Sequence, residues 1–290
     1  MEPTFQASPS TATNVAVEGG VATASRNNDQ PLLSLRGISK NFGAVQALVD
    51  VDLDISLGQV TALIGDNGAG KSTLIKTISG IWSPSEGSIF WNGEQVTLKT
   101  PRDADALGIA TVYQDLALCD NLDIVANMFL GHETMRRGLL DENAMESAAK
   151  TTLNGLSVTT VKSVRQLVES LSGGQRQSVA VARAVMRDAK LVILDEPTAA
   201  LGVSQTAQVL SLIRRLADRG IAVLLISHNL NDVFSVADRL AVLHLGRMVH
   251  SGPASDYTPQ TAVEIITTGS FVKAGTGAGS TPSSASGEPA

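Results

Sequence analysis

Residues Leu191-Val192-Ile193-Leu194 are apolar without a break and end in the acid pair Asp195-Glu196. Such a run predicts a strand buried on both faces, as in parallel sheets. A helical pattern over 204–219 follows, stopped at Gly220, and then a second apolar run over 221–226. Strand, helix and strand in that order predict a right-handed crossover within one parallel sheet. Ser227-His228 then falls at the carboxyl end of a strand, where open α/β sheets bind ligands.

Upstream, 32–38 and 51–57 alternate apolar and polar residues, the pattern of half-buried strands, with Asn41-Phe42-Gly43 as a loop between them. The apolar run 60–64 predicts another strand and 72–79 a helix. Asn92-Gly93 lies between apolar stretches 88–91 and 95–98, a hairpin signal. Thr100-Pro101 reads as the cap and first position of a helix ending at Gly108, and 109–113 as a short strand ending at Gln114. From there to about residue 188 the pattern is helical. Asp123 caps 124–130, Asp141 caps 142–153, and 173–187 sets Val179, Val181, Ala182, Val185 and Met186 on one apolar face. The block reads as a helical lobe inserted into an α/β core. Residues 1–31 and 271–290 are rich in small and polar residues without periodicity and are expected to be solvated tails.

Composition narrows the classes. A chain of 290 residues with 43% hydrophobic content can bury a sizeable core. No apolar run approaches the ~20 residues of a membrane-spanning helix, and the first thirty residues lack the basic start and apolar core of a secretory signal. A net charge of −6 argues against a broad nucleic-acid surface. The single cysteine, Cys119, cannot form an intrachain disulfide, which suits a reducing compartment, and is expected to be a small packing residue.

The chemistry centres on Gly65-Asp66-Asn67-Gly68-Ala69-Gly70-Lys71-Ser72-Thr73, between the strand at 60–64 and the helix after it. The spacing fits G-x-x-x-x-G-K-[ST], in which glycines let backbone N–H groups curl around phosphate oxygens at a helix start. Lys71 would neutralise the β and γ phosphates and the Ser72 hydroxyl would ligate Mg²⁺. Asp195 either caps a turn before Pro197 or holds the Mg²⁺ shell while Glu196 polarises an attacking water. The phosphate loop makes nucleotide hydrolysis the stronger reading. Leu171-Ser172-Gly173-Gly174-Gln175 reads as a helix cap or as a second anion site without a lysine, and local physics leaves both open.

With these motifs in this order, the chain resembles the ATP-binding cassette ATPases over about residues 32–268. Gly65 to Thr73 is similar to the Walker A loop, Gln114 to the Q-loop, Leu171 to Gln175 to the signature, 191–196 to Walker B, His228 to the switch histidine, and Phe42 to the aromatic that stacks on adenine. The resemblance implies an α/β, P-loop NTPase fold with a parallel sheet, an antiparallel β subdomain and an inserted helical lobe at about 115–188, the ATPase domain spanning 32–270. It implies ATP and Mg²⁺ as ligands, with Gln114 touching Mg²⁺ and reporting to a membrane partner, and His228 holding the γ-phosphate. In that family two cassettes pair head to tail, so Ser172 and Gly174 of one copy would face the phosphate bound at Lys71 of the other. Gly202 stands where the common pattern has an aspartate that couples the two sites. Thr198-Ala199-Ala200-Leu201-Gly202 and Gln114 to Leu122 are instead similar to carbohydrate-import cassettes of the ribose, xylose and fructose type. One set of motifs implies a homodimer, serving separate permease subunits at the cytoplasmic face of the plasma (inner) membrane, fed indirectly by a substrate-binding protein, with no nucleic acid. Import of another cargo such as branched-chain amino acids, export, or a soluble role in translation or DNA repair are the rival expectations. His132, His244 and His250 match no motif and are expected at the surface or in packing.

Overall fold

The computed structural model describes residues 30–270, so the tails expected at 1–31 and 271–290 lie, but for Gln30 and Pro31, outside the described residues. β1 (Leu33–Phe42) and β2 (Val45–Ile55) form a long hairpin, and β3 (Val60–Ile64) runs through the glycine loop into α1 (Lys71–Ile78). β4 (Glu86–Trp91) and β5 (Glu94–Val96) turn at Asn92-Gly93, α2 (Pro101–Leu107) follows, and β6 (Ile109–Val112) leads to Gln114. α3 (Ile124–Phe129), a small hairpin of β7 (Met135–Arg136) and β8 (Leu139–Leu140), α4 (Glu142–Gly155) and α5 (Gly173–Val185) make up the helical block. β9 (Leu191–Asp195), α6 (Val203–Asp218) and β10 (Ala222–Ile226) resume the core, which continues through α7 (Leu230–Val236), β11 (Arg239–His244), β12 (Arg247–Pro253) and α8 (Pro259–Thr268).

The central sheet has the order β12-β11-β3-β10-β9-β6. Its strands run parallel except for β12 at one edge. Val192, Leu194, Val223 and Leu225 pack on one face against α5 and α6, while Leu191, Ile193, Leu224 and Ile226 pack on the other with Leu74, Ile75 and Ile78 of α1. Both faces are therefore covered, which is why these strands read as continuous apolar runs rather than as alternation. Each fully buried Val, Leu or Ile contributes about 1.5–3 kcal/mol relative to exposure. The second sheet, β2-β1-β4-β5, is antiparallel and shares the core on the α1 side. Parallel pairing places the carboxyl ends of β3, β6, β9 and β10 at one edge, and with them the glycine loop, Gln114, Asp195-Glu196 and His228.

The caps agree with the chain's local chemistry. Asp123 and Asp141 accept from Ala126 N and Ala144 N at the starts of α3 and α4. Thr100 and Asp103 make a capping box that spans Pro101 at the first helical position. Two expectations are corrected. Asn41-Phe42-Gly43 is not a loop: β1 continues through Phe42, the turn is Gly43-Ala44, and β2 begins at Val45, six residues before the expected 51. That outer half of the hairpin is largely exposed, so no alternation marks it. The block from 114 to 188 also contains the β7–β8 hairpin, whose two-residue strands leave no periodic trace.

Candidate functional site

Backbone geometry shapes the loop after β3. Gly65 is buried against the end of β11, where an added Cβ would lie 2.2 Å from Leu243 O. Gly70 has φ +104 and a built Cβ 2.7 Å from Ala47 O, so only glycine allows this approach of α1 to β2. Gly246 N donates to Ala69 O at 2.9 Å and Val49 N to Gly246 O at 2.8 Å, which locks the loop between β2 and the β11–β12 turn. Lys71 Nζ donates to Gly65 O (2.7 Å) and Asp66 O (2.9 Å). The amine is thus aimed across the loop, and burial lowers its pKa against the opposing pull of Glu196, Asp66 and Asp195.

Residues 67–73 line a cavity of about 690 Å³ together with Gln114, Asp195, Glu196 and His228. Four separate strand ends contribute to it. Asp195 closes β9 half-buried, and burial, then the neighbouring Glu196, raises its pKa. Glu196 has φ +50, a left-handed conformation that costs about 1–2 kcal/mol in a non-glycine residue, while its N–H donates to Ile226 O at 2.9 Å. That turn aims the carboxylate at His228, whose Nδ1 lies 2.8 Å from Glu196 Oε2. The His228 side chain is itself 73% exposed, so it can swing.

Mg²⁺ fits this donor set. A half-buried acid with a raised pKa next to a second acid creates a demand for a cation, and the Ser72 hydroxyl and Gln114 amide face the same cavity. Among the described residues no cluster of three or more His, Cys, Asp or Glu could hold a metal by itself. Mg²⁺ is commonly bound through only one or two carboxylates, with phosphates and water completing its shell.

The remaining sequence candidates lie elsewhere. Ser172 caps α5 in a box with Gln175, Ser172 N donating to Gln175 Oε1 at 2.8 Å, and neither residue lines the cavity of its own chain. Gly173 and Gly174 are small because the turn before α6 and its first turn pack on them: built Cβ atoms would lie 2.8 Å from Leu201 Cδ2 and 3.0 Å from Gln205 Cβ. Phe42 sits at the tip of the β1–β2 hairpin with its ring edge-on to Trp82, 4.7 Å between centroids, and Lys40 Nζ 5.2 Å from its centre. It is 40% exposed and off the cavity wall. Sequence reasoning missed Val45, Gln46, Ala47, Leu245 and Gly246, which complete that wall. Only the Leu245-Gly246 turn carried a signal, as a glycine between two apolar stretches. His244 and His250 bond to Ile266 O and Tyr257 OH, packing roles as expected.

Comparison with known proteins gives a consistent answer. Residues 48–199 match the family model for ABC transporters. The chain is 47% identical over 245 residues to a fructose import ATP-binding protein of Rhizobium meliloti, covering 82% of this chain and 94% of that one. It is 44% identical over 236 residues to a xylose/arabinose import ATP-binding protein of Sulfolobus acidocaldarius, covering 81% and 94%. A ribose import ATP-binding protein of Rhizobium etli is 40% identical over 235 residues, where the chain spans 46% of that relative's length. A crystal structure of an ATP-binding cassette of an ABC transporter in its ADP conformation superimposes with a TM-score of 0.70 at 27% identity, covering 82% and 95%. With its glycine loop, its strand-end acids and these matches, the chain belongs to the ABC transporter family, as one of its ATP-binding cassettes.

Proposed function

We propose that this protein hydrolyses ATP to drive uptake of a sugar through a separate permease. The observation that carries the ATPase reading is the convergence of Lys71, Ser72, Gln114, Asp195, Glu196 and His228 on one cavity. Identities of 47% and 44% to fructose and xylose/arabinose import subunits support the sugar. The ATPase domain spans 32–270 with a helical lobe at about 115–188. No helix among the described residues is long and apolar enough to cross a membrane. In this reading the chain works peripherally, at the cytoplasmic face of the plasma (inner) membrane, through permease subunits fed by a substrate-binding protein.

The triphosphate lies along the N–H groups of residues 67–73, with Lys71 leaving its two carbonyl partners for the β and γ oxygens and the adenine reaching toward Phe42. Ser72, Asp195 and Gln114, which line the same cavity, would hold Mg²⁺, and the ion would supply positive charge against the charge that develops on the phosphates. Glu196 accepts a proton from water as the water oxygen bonds to the γ phosphorus. The bond to the β–γ bridging oxygen breaks, giving ADP and phosphate. His228, released from Glu196, holds the γ-phosphate. Ser172 to Gln175 of a second copy close over that phosphate; an exposed helix start at Ser172 that stands off the cavity of its own chain supports this reading.

The test is ATP-dependent sugar uptake in a strain lacking this gene, with fructose, xylose, arabinose and ribose supplied singly. Restored uptake of one sugar by the intact chain, and none by Lys71→Ala, is expected. Retained uptake of all four without the gene contradicts the sugar reading, and absence of ATPase activity in the purified protein contradicts the enzymatic one.

A further inference from the structure

Arg183 lies in the last turn of α5, half-buried, on the wall of a second cavity of about 400 Å³ between the helical block and β6. Among the described residues it has no ion pair with a carboxylate. Its guanidinium donates instead to two successive main-chain carbonyls, Nη2 to Leu116 O at 2.9 Å and Nη1 to Ala117 O at 2.8 Å. Those carbonyls belong to the segment that begins at Gln114, and Ala117 is held at φ +48 there. Burying a charge without a counter-ion is unfavourable unless its hydrogen bonds are met, and bonds from a charged donor contribute about 1.5–3 kcal/mol each. The fork shape of arginine suits two adjacent carbonyls in a way that a lysine cannot reproduce.

The far end of the same segment is fastened independently. Asn127 of α3 is fully buried; its Oδ1 accepts from Cys119 N at 2.7 Å and its Nδ2 donates to Cys119 O and Asp123 O at 2.9 and 3.0 Å. Leu116 to Asp123 is therefore bound to the helices at both ends, while Gln114 stands on the wall of the nucleotide cavity. Arg183 is eleven residues from Ser172 on the same helix, about 17 Å at 1.5 Å per residue. The helix that presents its capped start to a partner's nucleotide thus grips the Gln114 segment at its other end.

We propose that Arg183 is a positioning residue that fixes Gln114 in the catalytic cavity and ties its placement to the movement of α5. The proposal rests on the ATPase reading above, and its consequence is specific. Arg183 acts on chemistry through Gln114 and not on nucleotide binding, because residues 65–73 take none of their contacts from it.

Steady-state ATPase assays on the full-length protein, with a fluorescent ATP analogue for affinity, test this. Arg183→Gln is expected to lower kcat about tenfold, with KM and nucleotide Kd within twofold of the parent. Arg183→Lys, which reaches one carbonyl, is expected to recover part of the loss, and it serves alone if Arg183→Gln does not fold. The deciding measurement is the cycle with Gln114→Ala: the double variant is expected to be no slower than Gln114→Ala alone, because one residue works through the other. Multiplied kcat losses, or an unchanged kcat in both Arg183 variants, overturn the proposal. An inactive parent protein would instead reject the ATPase reading and is recognised before any variant is made.

Discussion

Gly202 departs from the common cassette pattern, and its surroundings define what restoring aspartate would do. It caps α6 with φ −73 and ψ 160, an extended conformation open to any residue, and an added Cβ would meet nothing within 4 Å. α6 has no side-chain cap bond and no acid in its first turn. An aspartate there accepts from an unsatisfied N–H of that turn, contributing a few tenths of a kcal/mol over glycine, and meets the positive helix end for another ~0.3–1 kcal/mol. The sum is about 0.5–1.3 kcal/mol, or about 1–5 °C in a domain of this size. Gly202→Asp is therefore expected to raise Tm in a thermal melt without nucleotide. Gly70→Ala is the contrast in the same assay: its φ of +104 and the 2.7 Å approach to Ala47 O are expected to lower Tm, by about 2–8 °C from the backbone term of ~1–2 kcal/mol alone. A fall of several degrees for Gly202→Asp would refute the reasoning, since it would mean that position 202 needs a conformation special to glycine.

Ser172→Arg removes the α5 capping box, at about 1 kcal/mol and so about 2–4 °C in Tm, yet leaves the nucleotide cavity of its own chain untouched. Equilibrium binding of ATP to the single chain is expected to match the parent while ATP-dependent dimerisation by gel filtration is lost; normal dimers would remove the signature from the partner's site. Asp195→Asn probes electrostatics through pH. Burial raises the Asp195 pKa above its ordinary value of 3.8, so the stability associated with its neutral form is fully present below 3.8 and is lost as pH rises through the folded-state pKa. Without nucleotide or Mg²⁺, Asp195→Asn is expected to melt higher than the parent at neutral pH, the gap closing toward acid; a gap independent of pH would deny the buried charge.

The phosphate loop and the acid pair at the end of β9 were legible as short runs whose chemistry restricts their residue types, and His228 by its place just past an apolar strand. The central strands were legible because burial on both faces erases polar positions from 191–194 and 222–226. The β1–β2 hairpin was misread because exposed residues Asn41 to Gln46 carry no alternation, and its bulges at Leu35/Ile38 and beyond break the period. Val45 and Leu245 reach the nucleotide cavity only through the stacking of two hairpin turns on the glycine loop, an arrangement no local pattern encodes. Nothing in the sequence singled out Arg183, since its partners are carbonyls 66 and 67 residues away rather than side chains. The separation of Ser172 from Lys71 within one chain was expected from the family resemblance alone, since the local physics of 171–175 left a helix cap and an anion site both open; in the structure Ser172 does not line the cavity that Lys71 lines.

In the proposed reading that separation makes the nucleotide site a property of two chains, and Glu196→Gln tests it most directly. The amide keeps the shape of the side chain but cannot take a proton from water, so ATP should remain intact between the two copies. Light scattering after gel filtration in Mg²⁺ and ATP is expected to give twice the 30.2 kDa chain mass, with two ATP per dimer, hydrolysis nearly stopped, and a single-chain mass when ADP replaces ATP. A variant that binds ATP yet stays at the mass of one chain, or that hydrolyses at the parental rate, would contradict the account.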